Sequence, residues 1–237
     1  MSKLGKKARA FLEGKFGNRV NFNKTERILY GHDIAAVPGL IRPLVGDTTP
    51  DAVVQPVSEE ELVELLRWAE SNHVPLTPRG KASSGYGGVM PLKKGLVVDF
   101  FRMNRILNID KAAMTARVQA GIVWEKMDRE LKKQGLTLRL YPTSYPASTA
   151  GGWLAQGGAG IGSYEAGWFK DNVVSARIVL PGGEAREISG ADLELISDAE
   201  GITGFISEVT VKIQADEALD IVAIGCPDAH DLQRFFQ

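Results

Sequence analysis

Hydrophobic and polar positions change period along the chain, and each change marks an element. Leu4, Ala8, Phe11 and Leu12 recur at helical spacing, which predicts a helix within residues 1–24, and residues 25–30 open a second. Pro38, Pro43 and Pro50 then punctuate an extended approach. From residue 52 the pattern becomes regular. A short strand at 53–55 precedes Ser58-Glu-Glu-Glu61, a capping box leading into Leu62, Leu65, Leu66 and Ala69 on one helical face. A strand at 74–77 and an apolar run at 95–100, suited to a buried strand, complete a small β-α-β unit with parallel strands.

The second half alternates instead. Strands are expected at 106–109 and 116–119, then a helix begun by Gly121, with Val123, Met127, Glu130 and Leu131 on adjoining turns, and stopped by Gly135. Residues 137–141 lead to an irregular proline-stiffened segment and a helix at 152–156 capped by Thr149. Residues 172–180 and 184–188, joined at Pro181-Gly-Gly183, predict a hairpin; 191–197 a short helix; and 205–213 a half-exposed strand. After Gln214 the acids Asp216, Glu217 and Asp220 mark a linker, 221–224 restarts a strand, and Asp228 caps a helix only begun at Gln237. That ending reads as a truncation.

Composition removes several classes of function. A chain of 237 residues with 44% hydrophobic and 24% charged residues can bury a substantial core. Its formal net charge of −1 argues against a nucleic-acid partner. The single cysteine, Cys226, excludes an internal disulfide and an iron–sulfur cluster held wholly by this chain; it reads as a small buried hydrophobe, and no metal site is assigned. With no apolar run near the ~18 residues of a membrane span and no signal-peptide core, a cytoplasmic location is expected. Residues 1–24 carry seven basic side chains against one acid. Their helix either docks its apolar stripe on its own domain, the commoner arrangement, or touches an anionic surface at the inner membrane face.

Glycine changes the picture most, with four residues in 78–88 and seven in 151–167. Pro78-Arg-Gly-Lys-Ala-Ser-Ser-Gly-Tyr-Gly-Gly88 follows a strand, so its backbone N–H groups can converge on an anion while Ser83 and Ser84 add hydroxyls and Arg79 and Lys81 add charge. The second cluster follows Thr143, Ser144, Ser148 and Thr149, and its helix start is expected to offer free N–H groups and a positive dipole end. Neither cluster is a standard nucleotide fingerprint. Gly158-Ala-Gly-Ile-Gly162 follows a helix-like stretch rather than a strand, and Ala82 stands where a Walker loop places Ser or Thr. No carboxylate can be set beside His32, His73 or His230 from the sequence, and no catalytic residue is named.

Eight ordered segments together resemble one family: Pro78-Arg-Gly to Gly88, Val97-Val-Asp-Phe-Phe-Arg-Met-Asn104, Val118-Gln-Ala-Gly121, Pro142-Thr-Ser144, Gly151-Gly152, Gly167 with Asp171-Asn-Val173, Val179-Leu-Pro-Gly-Gly183, and Gly201-Ile-Thr-Gly-Phe-Ile206. They resemble the FAD-binding domain of the vanillyl-alcohol oxidase and p-cresol methylhydroxylase superfamily, in its glycolate oxidase and D-lactate dehydrogenase-like members. The resemblance implies an α+β fold, with a small β-α-β subdomain (45–105) and a larger mainly antiparallel α+β subdomain (106–215) holding FAD between them. A helical segment (1–44) would precede them, and the start of a truncated substrate-covering domain (216–237) would follow. By the same resemblance Pro78, Arg79, Gly80, Lys81, Ala82, Ser83, Ser84 and Gly85 surround the pyrophosphate. Pro142, Thr143, Ser144, Thr149, Gly151, Gly152, Ala155, Gly158, Gly162 and Ser163 lie along the isoalloxazine, and Gly201 and Ile206 also bind the cofactor. Between Gly158 and Gly167 the chain is slightly longer than this family's pattern.

The function implied is oxidation of a small 2-hydroxy acid or alcohol by hydride transfer to FAD. The alternatives are an electron-transfer FAD subunit serving a partner redox chain and a flavin reductase of cell-wall precursor synthesis. The implied partners are a small-molecule substrate, reached through the absent domain, and an electron-acceptor protein or iron–sulfur subunit. Residues 78–88 hold no histidine and 141–167 no cysteine, the tethers the superfamily uses, so the FAD is expected to be non-covalent and this chain alone inactive.

Overall fold

A computed structural model describes residues 4–35, 37–218 and 222–236. Lys3, Asp220, Ile221 and Gln237, used in the sequence reading, lie outside the described residues. The first half runs α1 (Lys6–Phe16), β1 (Val20–Asn21), α2 (Lys24–Leu29), α3 (Arg42–Val45), β2 (Ala52–Val54), α4 (Glu59–Ser71), β3 (Leu76–Arg79) and β4 (Leu96–Asp99). The second runs β5 (Ile106–Asp110), β6 (Thr115–Gln119), α5 (Trp124–Lys132), β7 (Leu136–Leu138), α6 (Ala150–Gln156), α7 (Ser163–Ala166), β8 (Val173–Val179), β9 (Ala185–Ser189), β10 (Phe205–Ala215) and α8 (Ala229–Phe235).

The small sheet has the order β1-β2-β4-β3, with β2, β4 and β3 parallel and β1 antiparallel. β4, apolar at Leu96, Val97 and Val98, takes the middle, between the two strands that α4 connects, because its residues are buried on both faces. Pro78 breaks the ladder least at an edge, and β3 is the edge strand. Ser58 caps α4 by accepting from the Glu61 N–H at 3.4 Å. Glu61 reaches back to the Val57 N–H at 3.0 Å, one residue beyond the usual box, and is held there by Arg19.

The larger sheet is antiparallel, ordered β5-β6-β10-β8-β9, with β7 also on β10. The eleven-residue β10 pairs β6, β8 and β7, and its alternating burial matches one face on the core. The predicted hairpin is β8–β9. The expected helix at 191–197 is a 3-10 turn, Gly190–Leu195. Gly121 does not begin a helix. Its missing side chain lets the backbone pass Phe100, whose carbonyl oxygen would stand 1.9 Å from a Cβ, and Gly121 N–H donates to Met103 O. The helix starts three residues later, at Trp124.

The N-terminal helix docks on its own fold. Leu12 and Phe16 are buried, and Phe11 stacks on Trp68 of α4 with centroids 4.8 Å apart. Among the described residues no helix is long and apolar enough to cross a membrane. Two expectations near the C-terminus fail. Residues 222–224 are irregular, with Val222 and Ile224 exposed and no pairing strand among the described residues, and Cys226 is half-buried rather than buried. Asp228 does cap α8, accepting from the His230 and Asp231 N–H groups.

One carboxylate clasps the two sheets. Glu59, in the first turn of α4, accepts from Arg177 Nε of β8 at 2.9 Å and from the fully buried Ser207 Oγ of β10 at 2.5 Å. Burial raises its pKa, but the bonds from Arg177 and Ser207 outweigh that and hold the carboxyl below its usual value. Such a group stabilises the fold above the ordinary glutamate pKa of about 4.3, and the contribution is lost as pH falls through the lower folded value. Glu59→Gln is expected to cost about 2 kcal/mol near neutral pH, less than a fully buried pair because the Arg177 side chain is 29% exposed. Denaturant midpoints should converge with wild type as pH drops below about 4; a gap independent of pH would contradict the clasp.

Candidate functional site

Where the ends of the small sheet's strands meet the larger sheet, a cleft opens that encloses about 830 Å³ including its mouth. One wall is Pro78 to Ser84 with Gly88 and Val89; the opposite wall is Ser144, Ser148, Thr149 and the inner face of α6. Glu200, Gly201, Gly204 and Ile206 close the third side as the chain enters β10, with Phe100 and Ala120 from neighbouring strand ends. The cleft thus gathers most of the sequence-predicted set: Pro78, Arg79, Gly80, Lys81, Ala82, Ser83, Ser84, Ser144, Thr149, Gly151, Gly152, Ala155, Gly201 and Ile206.

The first wall carries unspent donors. The backbone N–H groups of Lys81, Ala82, Ser83 and Ser84 make no hydrogen bond among the described residues. Ala82 holds φ +52°, a left-handed conformation that an alanine adopts at a cost of roughly 1–2 kcal/mol. Arg79 lies with its guanidinium 5.0 Å from the Tyr30 ring centre, and Lys81 Nζ lies 4.3 Å from that of Phe101. Burial draws the Arg79 pKa below its usual value, opposed by Asp99, Tyr30 and Asp33, yet the group stays cationic.

The second wall differs from expectation. Thr149 caps α6 through the Gly152 N–H at 3.2 Å, but the helix start is not free: Ala150 N–H donates to Ile122 O and Gly151 N–H to Ala120 O. The chain leaving β6 has consumed those donors. What stays open is the Ser148 hydroxyl, buried on the cleft wall without a partner. The two walls touch at Gly80, where a Cβ would stand 2.5 Å from Thr149 Oγ1, while a Cβ on Gly151 would meet Ala120 Cβ at 2.5 Å.

Six predicted residues do not line the cleft: Gly85, Pro142, Thr143, Gly158, Gly162 and Ser163. Gly85 faces Ile34 instead. The later glycines serve a local turn, in which Tyr141 and Ile161 exchange backbone hydrogen bonds, Gly162 sits at φ +96° against Arg139 O, and Ser163 Oγ accepts from Gly160 N–H. Conversely, Val89, Phe100, Ala120, Trp153, Gln156, Glu200 and Gly204 line the cleft without having been singled out. Trp153 is locked by stacking on Phe169 at 4.3 Å. Glu200 makes no side-chain hydrogen bond among the described residues, and burial first, then the charges of Asp198 and Asp33, raises its pKa above the usual carboxylate range. None of the three histidines lines the cleft.

Comparison with known proteins agrees with this geometry. Residues 50–189 match the family model described as an FAD binding domain. The glycolate oxidase subunit GlcD of Bacillus subtilis is 32% identical over 196 residues, 79% of this chain and 40% of the relative. The alkyldihydroxyacetonephosphate synthase of Dictyostelium discoideum is 35% identical over 188 residues, 74% of this chain and 31% of the relative. A solved alkyldihydroxyacetonephosphate synthase structure superposes with a TM-score of 0.78 at 32% identity, covering 89% of this chain and 43% of that one. The chain therefore spans well under half the length of these relatives. Because the family model covers more than half of its sequence, around the cleft just described, the chain belongs to the FAD-binding domain family of flavin-linked oxidoreductases.

Proposed function

We propose that this chain holds the FAD of an enzyme that oxidises a small 2-hydroxy acid or alcohol. The observation that carries the reading is the unspent polarity of the cleft: four successive N–H groups on one wall and an orphaned buried hydroxyl, Ser148, on the other. Ser148 is buried, and buried polar groups are rarely left unpaired, so a ligand is its economical partner; the N–H groups of 81–84, on exposed or half-exposed residues, face the same cleft ready to bind acceptors. A dinucleotide, with a charged pyrophosphate and an apolar ring system, fits the mixed polar and apolar lining.

In this reading the N–H groups of residues 81–84 take the pyrophosphate oxygens, Arg79 and Lys81 offset its charge, and Ser148 donates to a polar edge of the ring system. Phe100, Trp153 and Ile206 exclude water from the apolar part, and Glu200 accepts from a hydroxyl or amino group, since among the described residues no cation forms an ion pair with it. FAD, when bound, supplies the acceptor for the substrate's hydride. Holding is non-covalent, through many contacts of about 1 kcal/mol each. The choice of a 2-hydroxy acid is supported by the name of the Bacillus relative, a glycolate oxidase subunit. Substrate-orienting cations and the base are proposed to come from outside this chain, which spans 40% of that relative.

Gly80→Val should weaken FAD binding at least about tenfold by forcing Thr149 away, whereas Gly85→Val, where a Cβ meets only Ile34 at an ordinary 3.9 Å, should bind normally. Fluorescence titration checks both, and equal affinities would remove Gly80 from the site. Anaerobic lactate or glycolate is expected to leave the flavin of the reconstituted chain oxidised. Rapid bleaching would show that these residues already hold the substrate machinery.

A further inference from the structure

Residues 29–35 lie outside the segment matched by the family model, yet they run along the glycine loop and touch it at three points. Asp33, only 7% exposed, accepts from the Gly87 N–H at 2.7 Å and from the Ala35 N–H at 2.7 Å, so one carboxylate fixes the far end of the loop to its own segment. Ile34 N–H donates to Ser84 O at 3.3 Å in the middle. At the near end Arg79 donates to His32 O at 2.9 Å and Leu29 O at 3.4 Å. The segment is itself anchored, because the Tyr30 hydroxyl donates to Asp99 Oδ2 at 3.0 Å, where β4 ends. Burial, then the charge of Asp99, pushes the phenol pKa up to about 12, so this donor keeps its proton at neutral pH.

The loop needs such support. Its donors at 81–84 have no partner of their own, and Ala82 stands in a left-handed conformation that local preference opposes. Left to itself the loop would relax and pay the ordering entropy again on binding. We propose that residues 29–35 are a strap that presets the glycine loop for FAD, with Asp33 as its positioning residue. Its ligand rests on the FAD reading above, and its effect on the loop does not. Arg79 is held by the same strap, so phosphate-facing charge and phosphate-facing backbone are set together.

The test uses the whole chain as wild type, Asp33→Ala, Asp33→Asn and Tyr30→Phe. FAD affinity is titrated, while apoprotein melting and amide hydrogen exchange are recorded without ligand. Asp33→Ala is expected to weaken FAD binding about ten- to a hundredfold, as losing bonds to a charged acceptor would. Exchange of the Ile34 and Gly87 N–H groups, the amides that bond between strap and loop, should speed up while β10 and the melting temperature hold. Asp33→Asn, which keeps an acceptor oxygen, should fall between, and Tyr30→Phe should weaken FAD binding severalfold. Unchanged affinity and unchanged exchange in both Asp33→Ala and Tyr30→Phe would overturn the strap. So would affinity lost only in proportion to a fall in melting temperature, which would make the segment a general stabiliser. If wild type fails to bind FAD, the cofactor reading falls, and the exchange comparison still decides whether the strap sets the loop.

Discussion

The backbone at Gly80, just after β3, lies so close to the Thr149 hydroxyl at the start of α6 that no side chain fits at residue 80, and this contact joins the two walls of the cleft. Thr149 has three duties there. It caps α6, bridges Val123 on the strand side, and forms the surface on which Gly80 rests. A wider gap would let the walls drift and fill with water; a tighter one would close the site. The separation is in turn set by Glu59 clasping Arg177 and Ser207, and by Gly121 passing the Phe100 carbonyl without a Cβ.

On that frame the polar groups divide into those already used and those left over. The start of α6 spends its N–H groups on Ile122 and Ala120, which fixes the helix and removes it as an anion site. The glycine loop spends none of its donors at 81–84, and its bonds to Asp33, Ile34 and His32 tie it to a neighbouring segment. Arg79 and Lys81 are each laid on an aromatic ring, Tyr30 and Phe101, which limits how far either cation can swing from the cleft. Binding capacity is thus concentrated where nothing internal competes for it.

Much of this was legible in the sequence where the signal was local. The Ser58 cap, the alternation of β10, the β8–β9 hairpin and the Thr149 cap each follow from a few neighbouring residues. The glycine loop was legible as well, since a glycine and serine run after a strand has few other uses. What the sequence hid depends on distant pairings. That β4 lies between the strands joined by α4 reflects burial on both faces, and that α6 lacks free donors reflects a chain passing from β6. Gly162 looked like a ligand glycine, but it sits in a turn against Arg139, and Gly158, outside the cleft lining, accepts from the Phe169 N–H. Asp33 and Tyr30 sit in a stretch without hydrophobic period, so nothing local marked them as neighbours of Gly87 and Asp99.

The central claim, a dinucleotide flavin held across the two walls without a covalent bond, is tested most directly by purifying the chain, precipitating it with acid and analysing both fractions by mass spectrometry. The account predicts a yellow protein that releases intact FAD into the supernatant and leaves an unmodified polypeptide. FMN alone, no flavin after incubation with FAD, or a polypeptide heavier by one FAD would contradict it.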